Sequence, residues 1–162
     1  EEIFISWQSG EKNGYACAYT KRISLEGECL RINYSMENTG KKPFSTTEYA
    51  HNFVNLDGIP YSSDYHLEVS DPGLTKKYQG HFVDASHFAS YMSMPPEESA
   101  KLRGWKLSYP QRGIGMSEKV DFQPCKFAVW AMEHAVSCEL FISLEMRPGE
   151  SASWARLYTF EN

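Results

Sequence analysis

Apolar and polar residues alternate with a period of two along most of the chain. From Cys29 to Met36, the residues Leu30, Ile32, Tyr34 and Met36 alternate with Cys29, Arg31, Asn33 and Ser35. That pattern predicts a strand with one buried face, closed by turn chemistry at Asn38-Thr39-Gly40-Lys41. Pro43 to Leu56 is aromatic and β-branched with a polar face, and reads as one long strand ending at Asp57-Gly58. Ser63 to Val69 reads as another, followed by a turn at Asp71-Pro72-Gly73. Upstream, Ile3 to Trp7 and Tyr15 to Ile23 bracket a loop containing Gly10, Asn13 and Gly14, which predicts a hairpin-like pair. Downstream, Phe127 to Met132, Glu139 to Met146 and Ser153 to Phe160 read as three strands, the last two joined by Arg147-Pro148-Gly149-Glu150. Only Pro95 to Leu102 reads as helix, with prolines at its entry, Glu97 and Glu98 in the first turn and Lys101 near the end. Gln79 to Pro95 carries mixed signals. With no repeat, low-complexity tract or linker, the pattern predicts one all-β domain over residues 1–162, an antiparallel β-sandwich.

Composition narrows the class of partner. The chain has 162 residues, 41% hydrophobic and 23% charged, enough to bury a core and unlike a disordered segment. Aromatics reach 14%, which favours pleated sheets and often accompanies sugar binding. A formal charge of -5 argues against a nucleic-acid partner. No run approaches the roughly 20 apolar residues of a membrane span. The opening Glu1-Glu2-Ile3 has neither an initiator Met nor a signal-peptide pattern and resembles a cut inside a longer product, which leaves the compartment open with the cytoplasm favoured. Cys17, Cys29, Cys125 and Cys138 show no CxxC spacing, so free thiols are the default expectation, with two bridges left open for an exported protein.

Familiar catalytic patterns are missing. The sequence has no GxSxG elbow, no glycine-rich phosphate loop and no HExxH. His51, His66, His81, His87 and His134 are scattered, without the helical spacing or tight clustering that metals like. Any site must be assembled from strands distant in sequence. On a strand, Thr47, Tyr49, His51, Phe53 and Asn55 share one face, a mixture suited to the floor of a polar, aromatic-walled groove. Periodicity alone favours the plainer reading, a hydrogen-bonded and half-buried His51. Tyr49 shares the face of His51 and is a candidate sugar contact. Lys126 and Trp130 share one parity on the strand before Glu139 and are candidates for a donor and an aromatic platform in the same groove. Asn52 should face away from His51 unless a bulge intervenes. Trp105, Trp154 and Tyr158 are expected to pack.

Two stretches carry a family resemblance. Leu30 to Phe44 (Leu-Arg-Ile-Asn-Tyr-Ser-Met-Glu-Asn-Thr-Gly-Lys-Lys-Pro-Phe), followed by Thr46-Thr-Glu-Tyr-Ala-His-Asn-Phe53, resembles the central part of aldose 1-epimerases, the galactose mutarotase-like family. Glu139-Leu-Phe-Ile-Ser-Leu-Glu-Met-Arg-Pro-Gly-Glu150 and Trp154-Ala-Arg-Leu-Tyr-Thr-Phe160 resemble its last two strands, in the same order. The resemblance implies the galactose mutarotase-like supersandwich, of which this chain would be a C-terminal fragment. It also implies interconversion of the α and β anomers of a free aldose without a cofactor, with His51 as general acid and a C-terminal glutamate as general base. Glu139 is the position chosen; Glu133 is the rival. Where a galactose-specific pattern carries Gln two residues after the glutamate, this chain has Phe141. The alternative is a non-catalytic carbohydrate-binding or accessory sandwich. The expected partner is a hexose, together with a missing N-terminal segment or a second copy bound to the exposed sheet edge.

Overall fold

A computed structural model describes residues 1–79 and 89–161. Among them, eleven strands and two short helices follow one another: β1 (Glu2–Gln8), β2 (Cys17–Glu26), β3 (Cys29–Asn38), β4 (Phe44–Glu48), β5 (His66–Val69), α1 (Pro72–Tyr78), β6 (Ala89–Met94), α2 (Pro96–Ser99), β7 (Gly104–Tyr109), β8 (Ile114–Val120), β9 (Lys126–Met132), β10 (Ala135–Met146) and β11 (Ser151–Glu161). They form two antiparallel sheets, ordered β1-β2-β3-β11-β8-β7-β5 and β4-β10-β9-β6. The sheets pack as a sandwich. Tyr34, Leu67, Trp105, Leu107, Trp154 and Tyr158 from the first meet Met94, Phe127, Val129, Cys138, Leu140 and Leu144 from the second.

The alternation along β10 explains this layering. Leu140, Leu144 and Met146 are buried against the large sheet, while Phe141, Ser143 and Glu145 on the other parity are partly or fully exposed. Glu139 breaks the rule, because it has the outward parity yet is only 5% exposed. The chain reaches the small sheet through the Asn38-Thr39-Gly40 turn. Asn38 is wholly buried. Its Nδ2 donates to the carbonyls of Lys42 and Met146 at 2.9 and 3.0 Å, and its Oδ1 accepts from the Gly40 N–H. A Cβ on Gly40 would sit 2.6 Å from the Gly14 carbonyl and the Ala16 nitrogen, so this crossing needs glycine.

Several sequence expectations change. The long strand from Pro43 to Leu56 stops at Glu48, and only Val54 makes a further isolated bridge, to Val136. Asp71-Pro72-Gly73 opens helix α1 instead of closing a turn: Asp71 Oδ1 accepts from the N–H groups of Gly73 and Leu74. Asp and Pro suit a helix start as well as they suit a turn. Strands β7 and β8 were not anticipated. In β7, Trp105 and Leu107 do alternate with Lys106 and Ser108, but β8 carries a buried Glu118 where the pattern demands an apolar residue. The mixed stretch after Gln79 contains β6; His81 and His87 lie outside the described residues. All four cysteines are free thiols, Cys138 buried and the others half-buried. At one edge, every residue of β1 is exposed, including Ile3, Phe4, Ile5 and Trp7.

Candidate active site on the outer face of the small sheet

Glu48 pairs with Ile142 and Val54 pairs with Val136 in one shared register. Residues 49–53 therefore run opposite residues 137–141 without forming a ladder. Opposite this stretch, the Leu140 carbonyl accepts from Arg156 Nη2 at 3.0 Å. Freed from the ladder, the side chains keep their cross-strand order. Tyr49 stacks on Phe141 at 4.2 Å between centroids, and His51 Nε2 lies 3.4 Å from Glu139 Oε1.

Strand β9 continues these rows: Ser137 pairs with Trp130, Glu139 with Ala128 and Phe141 with Lys126. Strand β6 adds Tyr91 beside Trp130 and Ser93 beside Ala128. The middle row of His51, Glu139, Ala128 and Ser93 is small or polar. On one side stands an aromatic wall of Phe53, Trp130 and Tyr91, and on the other Tyr49, Phe141 and Lys126. His51 is held within the first wall, stacked on Phe53 at 4.4 Å and edge-on to Trp130 at 5.5 Å. The Lys126 ammonium sits over Phe141 at 4.8 Å and over Tyr91 at 5.5 Å, where the ring faces attract it. The carboxylate of Glu139 is almost fully shielded, while the His51 side chain is 37% exposed. The pair therefore meets solvent from the His51 side, between the aromatic walls.

Behind this pair lies a buried charge network that joins the two sheets. Arg156, with no exposed surface, reaches Glu118 at 2.8 Å and Glu48 at 2.9 Å. Glu118 also accepts from Trp105 Nε1 and, at 3.2 Å, from the Tyr158 hydroxyl. Trp154 Nε1 donates to Glu48. Burial pushes the carboxyl of Glu118 above its ordinary range, opposed by Arg156 and by the hydrogen bonds from Trp105 and Tyr158. Asn52 faces inward, as its parity predicts, and donates to the Tyr158 hydroxyl at 2.9 Å. Glu48 and Asn52 are therefore both tied to the core on either side of Tyr49-Ala50-His51. The fully buried Cys138 thiol is pushed well above its ordinary value, chiefly by burial, which keeps it protonated and unreactive.

Of the residues proposed from sequence, His51, Glu139, Tyr49, Lys126 and Trp130 all fall on this one face. Glu133 does not. It lies at the β9–β10 turn with an exposed side chain, 3.5 Å from His134. Phe53 joins the face that sequence parity gives it, while Phe141, Tyr91 and Ser137 are additions from the structure, although the parity of Phe141 with Glu139 is readable in the sequence. Trp105, Trp154 and Tyr158 are buried as expected, and each also donates a hydrogen bond to a carboxylate, Trp105 and Tyr158 to the buried Glu118 and Trp154 to the half-buried Glu48. No group of three His, Cys, Asp or Glu side chains among the described residues is arranged to hold a metal ion. No helix among them is long and apolar enough to cross a membrane.

No family model and no curated protein matches the sequence. Solved structures do match. A galactose mutarotase-like protein from Clostridium acetobutylicum superposes with a TM-score of 0.74 at 14% identity, over 99% of this chain and 62% of its own. A galactose mutarotase related enzyme from Lactobacillus acidophilus gives 0.73 at 10% identity, over 100% and 68%. A proposed aldose 1-epimerase from Escherichia coli K12 gives 0.72 at 10% identity, over 99% and 65%. The chain has the galactose mutarotase-like fold. It spans between about three fifths and two thirds of these mutarotase-like structures. At such low identity the likeness is one of fold, and the residues of the site rest on the geometry above.

Proposed function

We propose that this mutarotase-like chain acts on the anomeric carbon of a free aldose, with Glu139 as general base and His51 as general acid. The observation that carries the reading is the His51–Glu139 pair, 3.4 Å apart and walled by aromatic rings, on the fold of galactose mutarotase-like proteins. A separation as wide as a sugar ring would suit groups acting on opposite edges of the ring. Mutarotation instead addresses two oxygens bonded to the same carbon, so an acid and a base close to contact need only a small opening. Glu139 takes the proton of the anomeric hydroxyl while protonated His51 gives its proton to the ring oxygen. The bond between the anomeric carbon and the ring oxygen breaks, leaving the open-chain aldehyde. After rotation about the adjoining carbon–carbon bond, the freed hydroxyl attacks the other carbonyl face. It returns its proton to His51 as Glu139 gives one to the new anomeric hydroxyl, restoring both groups. Trp130, Tyr49 and Phe141 offer apolar faces to the C–H side of a pyranose, and Lys126 offers a donor to its hydroxyls.

Closure of the pair favours a second reading, a carbohydrate-binding module without catalysis, because the shielded Glu139 already has a partner. Exchange NMR and polarimetry of freshly dissolved glucose, galactose and mannose separate the two. Under the catalytic reading, the wild-type chain accelerates anomer exchange, and His51→Ala and Glu139→Gln each lose about 10²–10⁴-fold. Sugar binding by calorimetry without acceleration supports the module. Acceleration that survives both substitutions overturns the assignment of the acid and base.

A further inference from the structure

The Ser137 side chain is fully buried, and its hydroxyl has no hydrogen-bond partner among the described residues. A buried hydroxyl left unpaired is costly, so its position matters. Ser137 stands two residues before Glu139 on β10 and shares its parity, facing the same side of the sheet. Its cross-strand neighbour on β9 is Trp130, and the register set by Glu48–Ile142 and Val54–Val136 places Phe53 on its other flank. Those two flanking rings meet edge to face at 5.8 Å, roofing the hydroxyl. Phe53 itself is 66% exposed, so its ring can swing outward at the cost of its stack on His51 and its edge contact with Trp130.

Building on the reading of this face as a sugar site, we infer that Ser137 is a sugar-binding residue, its hydroxyl exchanging a hydrogen bond with the 2-hydroxyl of the aldose. The span from Glu139 to Ser137 is two residues of strand, roughly 6.5 Å. That lies within the roughly 8.5 Å that two neighbouring ring hydroxyls span with one hydrogen bond added at each end. A pyranose that places its anomeric hydroxyl on Glu139 and its C–H face on Trp130 replaces the Phe53 ring over Ser137. It thereby supplies the partner the hydroxyl lacks.

The test is a cycle between one protein group and one sugar group, using glucose and 2-deoxyglucose with wild type and Ser137→Ala. Calorimetry measures affinity and exchange NMR measures turnover. Ser137→Ala weakens glucose binding about 2- to 10-fold, leaves 2-deoxyglucose binding unchanged, and leaves the melting temperature equal or higher because an unpaired hydroxyl is gone. Equal losses for both sugars, no loss for either, or a clear fall in melting temperature overturns the role of Ser137 while leaving the sugar site standing. If the wild-type chain neither binds nor interconverts either sugar, both readings fall.

Discussion

Arg156→Met isolates the energetic role of the charge network behind the candidate site. Methionine leaves a long unbranched apolar side chain in place of the arginine, removing the guanidinium that sits over the rings of Tyr34 and Phe122 and, among the described residues, the cation that bridges Glu48 and Glu118. The lost groups are two ion pairs and the hydrogen bond to the Leu140 carbonyl, all made by a side chain with no exposed surface. Removing one partner of a buried pair typically costs about 3–5 kcal/mol, because the other charge is left without compensation. Against a total stability of roughly 5–15 kcal/mol for a domain of this kind, the variant should fold marginally. Urea unfolding followed by tryptophan fluorescence measures the difference. The deficit should also depend on pH. Burial already raises the Glu118 carboxyl in the folded chain, with Arg156 the first of the opposing influences. Without Arg156 it rises further. A carboxyl raised on folding contributes stability that is full below its unfolded value and lost as pH rises through the folded one. The deficit should therefore be smallest near about pH 4 and grow toward neutrality. A deficit under about 1 kcal/mol, or one equally large at both ends, would refute the account of Arg156 as the charge that makes Glu48 and Glu118 tolerable in the core.

Two further outcomes follow from burial and from the sheet edge. Tyr19, Tyr34, Tyr61 and Tyr158 are all raised chiefly by burial, Tyr34 to about 12. Ultraviolet titration should leave these four protonated through the ordinary phenol range near about pH 10, and their stabilising contribution should fade only as pH climbs past it. Normal titration of all ten tyrosines in a still-folded chain would contradict their packing. Strand β1 presents an unpaired edge with Ile3 and Phe4 60% and 68% exposed, a template for pairing with another strand. The chain should self-associate at high concentration by sedimentation velocity, and Ile5→Lys should suppress this. A strictly monomeric wild type would show that the edge is silent.

The sequence by itself determined the strands with clean alternation, such as β3 and β10, because each side-chain parity there meets a uniformly apolar or uniformly polar environment. It also determined that His51, Tyr49 and Phe53 share a face, since parity within one segment is a local property. The order of the His51 and Glu139 segments was also legible, and it was the resemblance of those two motifs to mutarotase-like proteins, not their parity, that joined them into one site. Other features depend on partners distant along the chain. Glu118 and Arg156 sit at inward positions where alternation calls for apolar residues, and their burial makes sense only because Glu48 arrives from the other sheet. Asp71-Pro72-Gly73 serves a turn or a helix equally well, and the neighbouring strand β5 is followed by helix α1. Above all, the shared register of Glu48 with Ile142 and Val54 with Val136 was decided in three dimensions. That register brings His51 to Glu139, separates Glu133 from both, and leaves Ser137 roofed by Phe53 and Trp130. No local pattern encodes it, because strand pairing selects among registers by the total burial it achieves, and that sum exists only in the assembled sandwich.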